Sequence, residues 1–175
     1  MLIVRAVPAG NIDPALVSPS FAQENASLLR QSAETLLQRT VAEAIGSSQI
    51  PALWHKLPNG KPVFTHLPLH FSLSHTQGWV AVAISDAPVG VDIEHAARIE
   101  ERLLRRLAAP ATLGLSPVEQ WACWEAQGKC SGRGVAVMFD PQPPEASIPC
   151  RFLEISEGLV LAVAGEKAEE WSLKF

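Results

Sequence analysis

FSLSHTQGWVAVAISDAPVGVDIE, residues Phe71–Glu94, sets three strand-length apolar runs between turn signals. Residues 71–75 (FSLSH) and 79–85 (WVAVAIS) read as two strands, and Thr76-Gln77-Gly78 separates them. Asp86-Ala87-Pro88 turns the chain again before the third run, residues 89–94. Along that strand successive side chains alternate, so Asp92 and Glu94 share one face while Val91 and Ile93 point into the core. Two carboxylates on one face repel unless something positive sits between them. Oxygen ligands of this kind, without Cys or His partners, suit Mg²⁺ that completes its shell with water and substrate phosphates. A solvated strand end is the alternative reading of Asp-x-Glu taken alone.

Working outward, residues 2–7 read as a strand, and Ser20–Ile45 as a helix with Leu29, Ala33, Leu36, Leu37, Val41 and Ala44 on one face and Gly46 as its stop. Residues 50–70 form a connection punctuated by Pro and Gly. The second half repeats the order: strand 89–94, a helix near 97–108 with Ile99, Leu103, Leu104 and Leu107 on one face, a helix from 117 to about 130, and strands at 135–139, 150–155, 159–164 and 170–174. The pattern predicts an α+β chain of two similar lobes joined near Asp86 to Pro88, with any shared site in the cleft between them.

The 117–130 helix has the clearest boundaries: Ser116 caps it, Pro117 fits its first position, Glu119 completes a Ser-x-x-Glu box, and Gly132 closes it. On it Glu125 and Lys129 are neighbours, which alone is a surface ion pair. The loop Lys129-Cys130-Ser131-Gly132-Arg133-Gly134 lets backbone and cation approach a phosphate, although a helix cap accounts for its glycines equally well. Ser74-His75 is not a nucleophile–base pair, since adjacent strand residues face opposite ways; His75 is either a phosphate contact or a structural histidine. Asn59-Gly60-Lys61 is a turn that projects one lysine.

With 175 residues and 47% hydrophobic content the chain can bury a core of its own. A net charge of −4 argues against a general nucleic-acid binder, so an anionic ligand has to be met by a local group of cations. Cys123, Cys130 and Cys150 lack both disulfide-framework and zinc spacing, which fits a reduced, cytoplasmic setting. MLIVRAVPAG lacks the layout of a signal peptide, and no apolar run approaches the roughly 18 residues of a membrane span, so a soluble protein is expected. His55, His66, His70 and His95 show no metal-ligand spacing, and Trp54, Trp79 and Trp171 read as core or lobe-interface residues.

The ordered set LPNGKP (57–62), HFSLSHTQGW (70–79), VGVDIE (89–94) and W-x-x-x-E-A-x-x-K (121–129) followed by GRG resembles the 4′-phosphopantetheinyl transferases of the two-lobed, surfactin-synthetase-activating type, over roughly residues 28–140. The resemblance implies two α/β lobes in a pseudo-twofold arrangement, residues 1–86 binding the coenzyme A nucleotide and residues 87–175 carrying metal and catalytic groups. It implies transfer of the phosphopantetheine arm of coenzyme A to a serine of an acyl or peptidyl carrier protein, with release of adenosine 3′,5′-bisphosphate. Asp92, Glu94 and Glu125 would hold Mg²⁺, Glu125 would take the serine proton, and Lys129 would stabilise the transferring phosphate. Arg30, Arg39, Lys61, Ser74 and His75 would hold the nucleotide end. The family usually carries lysine just before the motif glutamate; here that residue is Trp124. This departure sustains an alternative, a catalytically weakened member that binds coenzyme A or a carrier protein. A monomer without nucleic-acid or membrane partners is expected.

Overall fold

Strand β5 (Trp79–Ser85) sets the architecture, because Val80 through Ile84 are all 0% exposed and both of its faces must be covered. Its side chains divide by alternation. Val80, Val82 and Ile84 join Ala33, Leu36, Leu37 and Val41 of helix α1 (Pro19–Ile45) in one core cluster, together with Phe64 and Phe71. Ala81 and Ala83 face the other way, onto Val4, Ala6, Val91, Ile93, Leu159, Leu161 and Val163. The computed structural model describes residues 1–9, 19–47, 49–76, 78–99, 114–134, 148–170 and 173–174.

Strands β1 (Leu2–Pro8), β4 (His70–Thr76), β5 and β9 (Leu173–Lys174) form one sheet in the order β4-β5-β1-β9. β5 is antiparallel to both β1 and β4, and β9 lies parallel to β1. A second, antiparallel sheet has the order β6-β8-β7, from β6 (Gly90–His95), β8 (Leu159–Ala164) and β7 (Cys150–Ser156). Here too the middle strand is buried throughout. Leu159, Leu161 and Val163 meet the first sheet, while Val160, Ala162 and Ala164 pack on Val118, Ala122, Cys123, Ala126 and Cys130 of helix α2 (Pro117–Ser131). The layers therefore run α1, first sheet, second sheet, α2. Strands enclosed in this way read as unbroken apolar runs, as 80–84 and 159–164 do. Each fully buried Leu or Val among them contributes about 1.5–3 kcal/mol.

Helix α2 starts and stops as its sequence predicts. The Ser116 N–H donates to the Glu119 carboxylate at 2.6 Å, Pro117 opens the first turn, and Gly132 ends the helix in the left-handed region at φ 80°. Where α2 crosses β6, Gly90 is required for a different reason. A Cβ there would stand 1.9 Å from the Ala126 carbonyl oxygen and 2.6 Å from the Cys130 nitrogen.

Three expectations change. The 50–70 connection contains a hairpin, β2 (Trp54–Lys56) against β3 (Pro62–Phe64), whose strands are too short to show a period. It is held by its aromatics, with Trp54 and Phe64 lying 6.0 and 4.4 Å from the Phe71 ring. Of the strand expected at 170–174, Leu173–Lys174 is strand and residue 170 ends a 3₁₀ turn at Ala168–Glu170, while residues 171 and 172 lie outside the described residues. The helix expected at 97–108 begins as a 3₁₀ turn at Ala96–Arg98, and its remainder from residue 100 lies outside the described residues, as do the 135–139 strand and Trp171. Cys123, Cys130 and Cys150 are free thiols. Among the described residues no helix is long and apolar enough to cross a membrane.

Candidate active site

β6 places Asp92 and Glu94 on the face opposite Val91 and Ile93, toward α2. On α2, Glu125 and Lys129 are one turn apart and meet them. Lys129 Nζ lies 2.6 Å from Asp92 Oδ1 and 3.5 Å from Glu125 Oε2. It also donates to Ser74 Oγ at 3.0 Å and to the Val91 carbonyl at 3.1 Å. The ammonium is thus the positive group between Asp92 of the strand and Glu125 of the helix. Burial works against its charge, but Asp92 and then Glu125 outweigh burial and raise its pKa.

Asp92 is 1% exposed, and its Oδ2 has no hydrogen-bond partner. Burial, and next the Asp92 charge, push the Glu125 carboxyl up to about 7, with Lys129 opposing and Glu94 adding to the rise. A protonated Glu125 can donate to Asp92, and a cation can serve the same buried oxygen. This fits the chemistry expected of hard oxygen ligands. Among the described residues, however, no three His, Cys, Asp or Glu side chains stand close enough to form a closed metal site. Lys129 stands between Asp92 and Glu125 instead.

The Glu125 shift predicts a stability signature in metal-free protein. Because its pKa rises from the ordinary 4.5 to about 7 on folding, its contribution is fully present below pH 4.5 and is lost as pH climbs through 7. The loss is about 3 kcal/mol at most. In chelator, Glu125→Gln is expected to flatten the fall in melting temperature between pH 5 and pH 8. Parallel pH profiles for the two proteins would count against the buried-carboxyl assignment.

Lys129 also lines a cleft of about 970 Å³ between the hairpin, the middle of α1, β4 and the C-terminal end of α2. That volume is at the upper end of ligand pockets. Arg30, Lys56, Lys61 and His75 surround it, with Glu34 the acidic side chain among its lining residues. A chain of negative net charge therefore concentrates cations in one place, as the sequence requires of any anion binder here.

Of the sequence candidates, Arg30, Lys61, His75 and Lys129 reach the cleft. Lys61 Nζ donates to the Cys130 carbonyl at the end of α2, bridging the two halves, and burial lowers its pKa. Arg39 is exposed and does not line the cleft. Nine residues along a helix is about two and a half turns, so Arg30 and Arg39 face opposite sides. Ser74 does not line it either, being 7% exposed and turned onto Asp92 at 2.7 Å. Sequence reading missed Lys56 and Trp54 as lining residues, because three-residue strands show no period from which the hairpin could be read; once it forms, strand alternation puts both on one side. The Trp54 indole donates to Glu34 Oε2 at 3.2 Å. Trp124, beside Glu125, is half-buried.

No protein-family model matches the chain. It is similar to several bacterial proteins named 4′-phosphopantetheinyl transferase. It is 31% identical over 115 residues to psf-1 of Bacillus pumilus, across 59% of this chain and 49% of that protein. It is 28% identical over 115 residues to gsp of Aneurinibacillus migulanus, across 59% and 48%, and 27% identical over 131 residues to Sfp of Bacillus subtilis (strain 168), across 59% and 58%. The chain spans about half the length of the first two relatives.

Proposed function

We propose that this chain, a relative of the 4′-phosphopantetheinyl transferases of the surfactin-synthetase-activating type, transfers the phosphopantetheine arm of coenzyme A to a serine of an acyl or peptidyl carrier protein. The observation that carries this reading is the junction at Lys129, where an acidic cluster from β6 and α2 meets a cationic cleft. In this reading residues 1–86 and 87–175 act as two pseudo-twofold-related lobes, the first holding the nucleotide and the second the reacting groups.

Arg30, Lys56, Lys61 and His75 bind the phosphates of coenzyme A, and the apolar wall of Trp54, Phe71 and Leu73 lies beside them. The serine oxygen forms a bond to the phosphorus that carries the pantetheine. The bond from that phosphorus to the bridging oxygen breaks, and adenosine 3′,5′-bisphosphate leaves. Glu125, with a pKa near neutrality, accepts the serine proton. Lys129, held charged by Asp92, faces the transferring phosphate from the cleft wall. By resemblance Asp92, Glu94 and Glu125 would hold Mg²⁺, although among the described residues they form no closed metal site. When bound, that ion polarises the pyrophosphate and neutralises its charge.

The test is intact-mass spectrometry of several apo carrier proteins incubated with this protein, coenzyme A and Mg²⁺, against a metal-free control. A metal-dependent gain of one phosphopantetheine arm is expected. Coenzyme A binding without transfer to any carrier would favour the binding-module reading instead. In the same assay Trp124→Lys restores a cation beside Glu125 and is expected to raise the rate about tenfold, about 1.4 kcal/mol off the barrier. An unchanged or lower rate would make position 124 a packing position.

A further inference from the structure

Glu34 brings a carboxylate into a cleft lined by Arg30, Lys56, Lys61, His75 and Lys129. A negative charge there works against phosphate binding, since like charges repel. Its contacts define what it can do instead. The Gln38 side-chain carbonyl accepts from the Ala52 N–H at 2.9 Å, so its amide NH₂ turns to Glu34 Oε1 and donates at 3.2 Å. The Trp54 indole donates to the other oxygen, Oε2, at 3.2 Å. Each oxygen thus takes one donor, and a carboxylate oxygen accepts up to two. A ligand that meets Glu34 has to bring a further N–H or O–H.

The side chain that holds Oε2 also borders the cleft. Trp54 is pinned at its nitrogen by Glu34 and packs edgewise on Phe71, with ring centroids 6.0 Å apart at 66°. Its indole is therefore a fixed π surface next to a fixed acceptor. The hairpin keeps this pair apart from the end of α2. Trp54 pairs with Phe64 where the strands open, while Lys61 follows the turn and reaches the Cys130 carbonyl.

We propose that Trp54 and Glu34 form a base-binding subsite, in which a heteroaromatic base stacks on the indole and donates from its exocyclic amino group to the carboxylate. The inference rests on the coenzyme A reading above and names the side chains that choose its adenine. Stacking on an aromatic ring holds any base, so the choice falls to Glu34.

The experiment is isothermal titration calorimetry of the full chain with coenzyme A, with adenosine 3′,5′-bisphosphate, and with purine riboside 3′,5′-bisphosphate, which lacks only the exocyclic amino group. The parent is expected to bind the amino nucleotide about tenfold more tightly than its deaminated counterpart. In Glu34→Ala that preference is expected to disappear, and Trp54→Leu is expected to weaken both nucleotides about tenfold. A merely structural Glu34 would shift both affinities together and leave their ratio unchanged. Should Glu34→Ala fail to fold, Glu34→Met, of similar length and without an acceptor oxygen, decides. Equal affinities of the parent for the two nucleotides, binding of neither beside binding of coenzyme A, or a preference that survives in a folded Glu34 variant overturns the subsite alone. Failure of the parent to bind coenzyme A overturns the coenzyme A reading, and this inference with it.

Discussion

Replacing Asp92 by Asn is expected to lower phosphopantetheine transfer at least about 10³-fold, a loss of about 4 kcal/mol in transition-state stabilisation. The introduced amide would keep an oxygen for Ser74 and Lys129 but lose the charge that holds Lys129 as an ammonium. It would also present a neutral group where a cation requires a carboxylate. Asp92→Ala goes further, leaving the Lys129 ammonium to Glu125, Ser74 and the Val91 carbonyl. Removing one partner of a buried ion pair costs about 3–5 kcal/mol, so the Ala variant is expected to melt well below the Asn variant. Initial rates from carrier-protein intact mass, together with thermal denaturation, separate the two effects. Transfer at the parent's rate by a folded Asp92→Asn protein would sink the assignment of this cluster as the reacting centre.

The second large effect is structural. Gly90→Ala would drive a methyl group into backbone atoms of Ala126 and Cys130, which cannot rotate away. α2 would have to lift off the second sheet, opening the layer formed by Val118, Ala122, Ala126, Val160 and Ala162. A destabilisation above about 3 kcal/mol is expected, lowering the melting temperature by roughly 10 °C for a domain of this size. Because α2 carries Glu125 and Lys129 against β6, activity is expected to fall even where the variant folds. A melting temperature within about 2 °C of the parent's would show that the two elements can separate cheaply.

The strands at 71–75, 79–85 and 89–94 and the ends of α2 were legible because local rules fix them: alternation, turn chemistry, and a capping box with its proline. The hairpin at 54–64 was not. Three-residue strands carry no period, and what holds this one is Trp54 and Phe64 against Phe71, a contact set by tertiary packing. The site divides in the same way. Asp92 beside Glu94, and Glu125 beside Lys129, follow from the strand and helix repeats alone. The meeting of the two pairs does not, because it depends on how closely α2 crosses Gly90.

By itself, then, the sequence determined the α+β elements, the pairs of charged residues that share a face, and the need for a local group of cations in an acidic chain. Tertiary structure decided which partner each polar side chain took. Lys129 reached Asp92 across the layers, Ser74 turned from the cleft to a carboxylate, and Lys61 closed on the end of α2. Backbone geometry sets the face on which a side chain stands. Burial and pairing are settled by what packs against that face, and those neighbours come from segments far away in the chain.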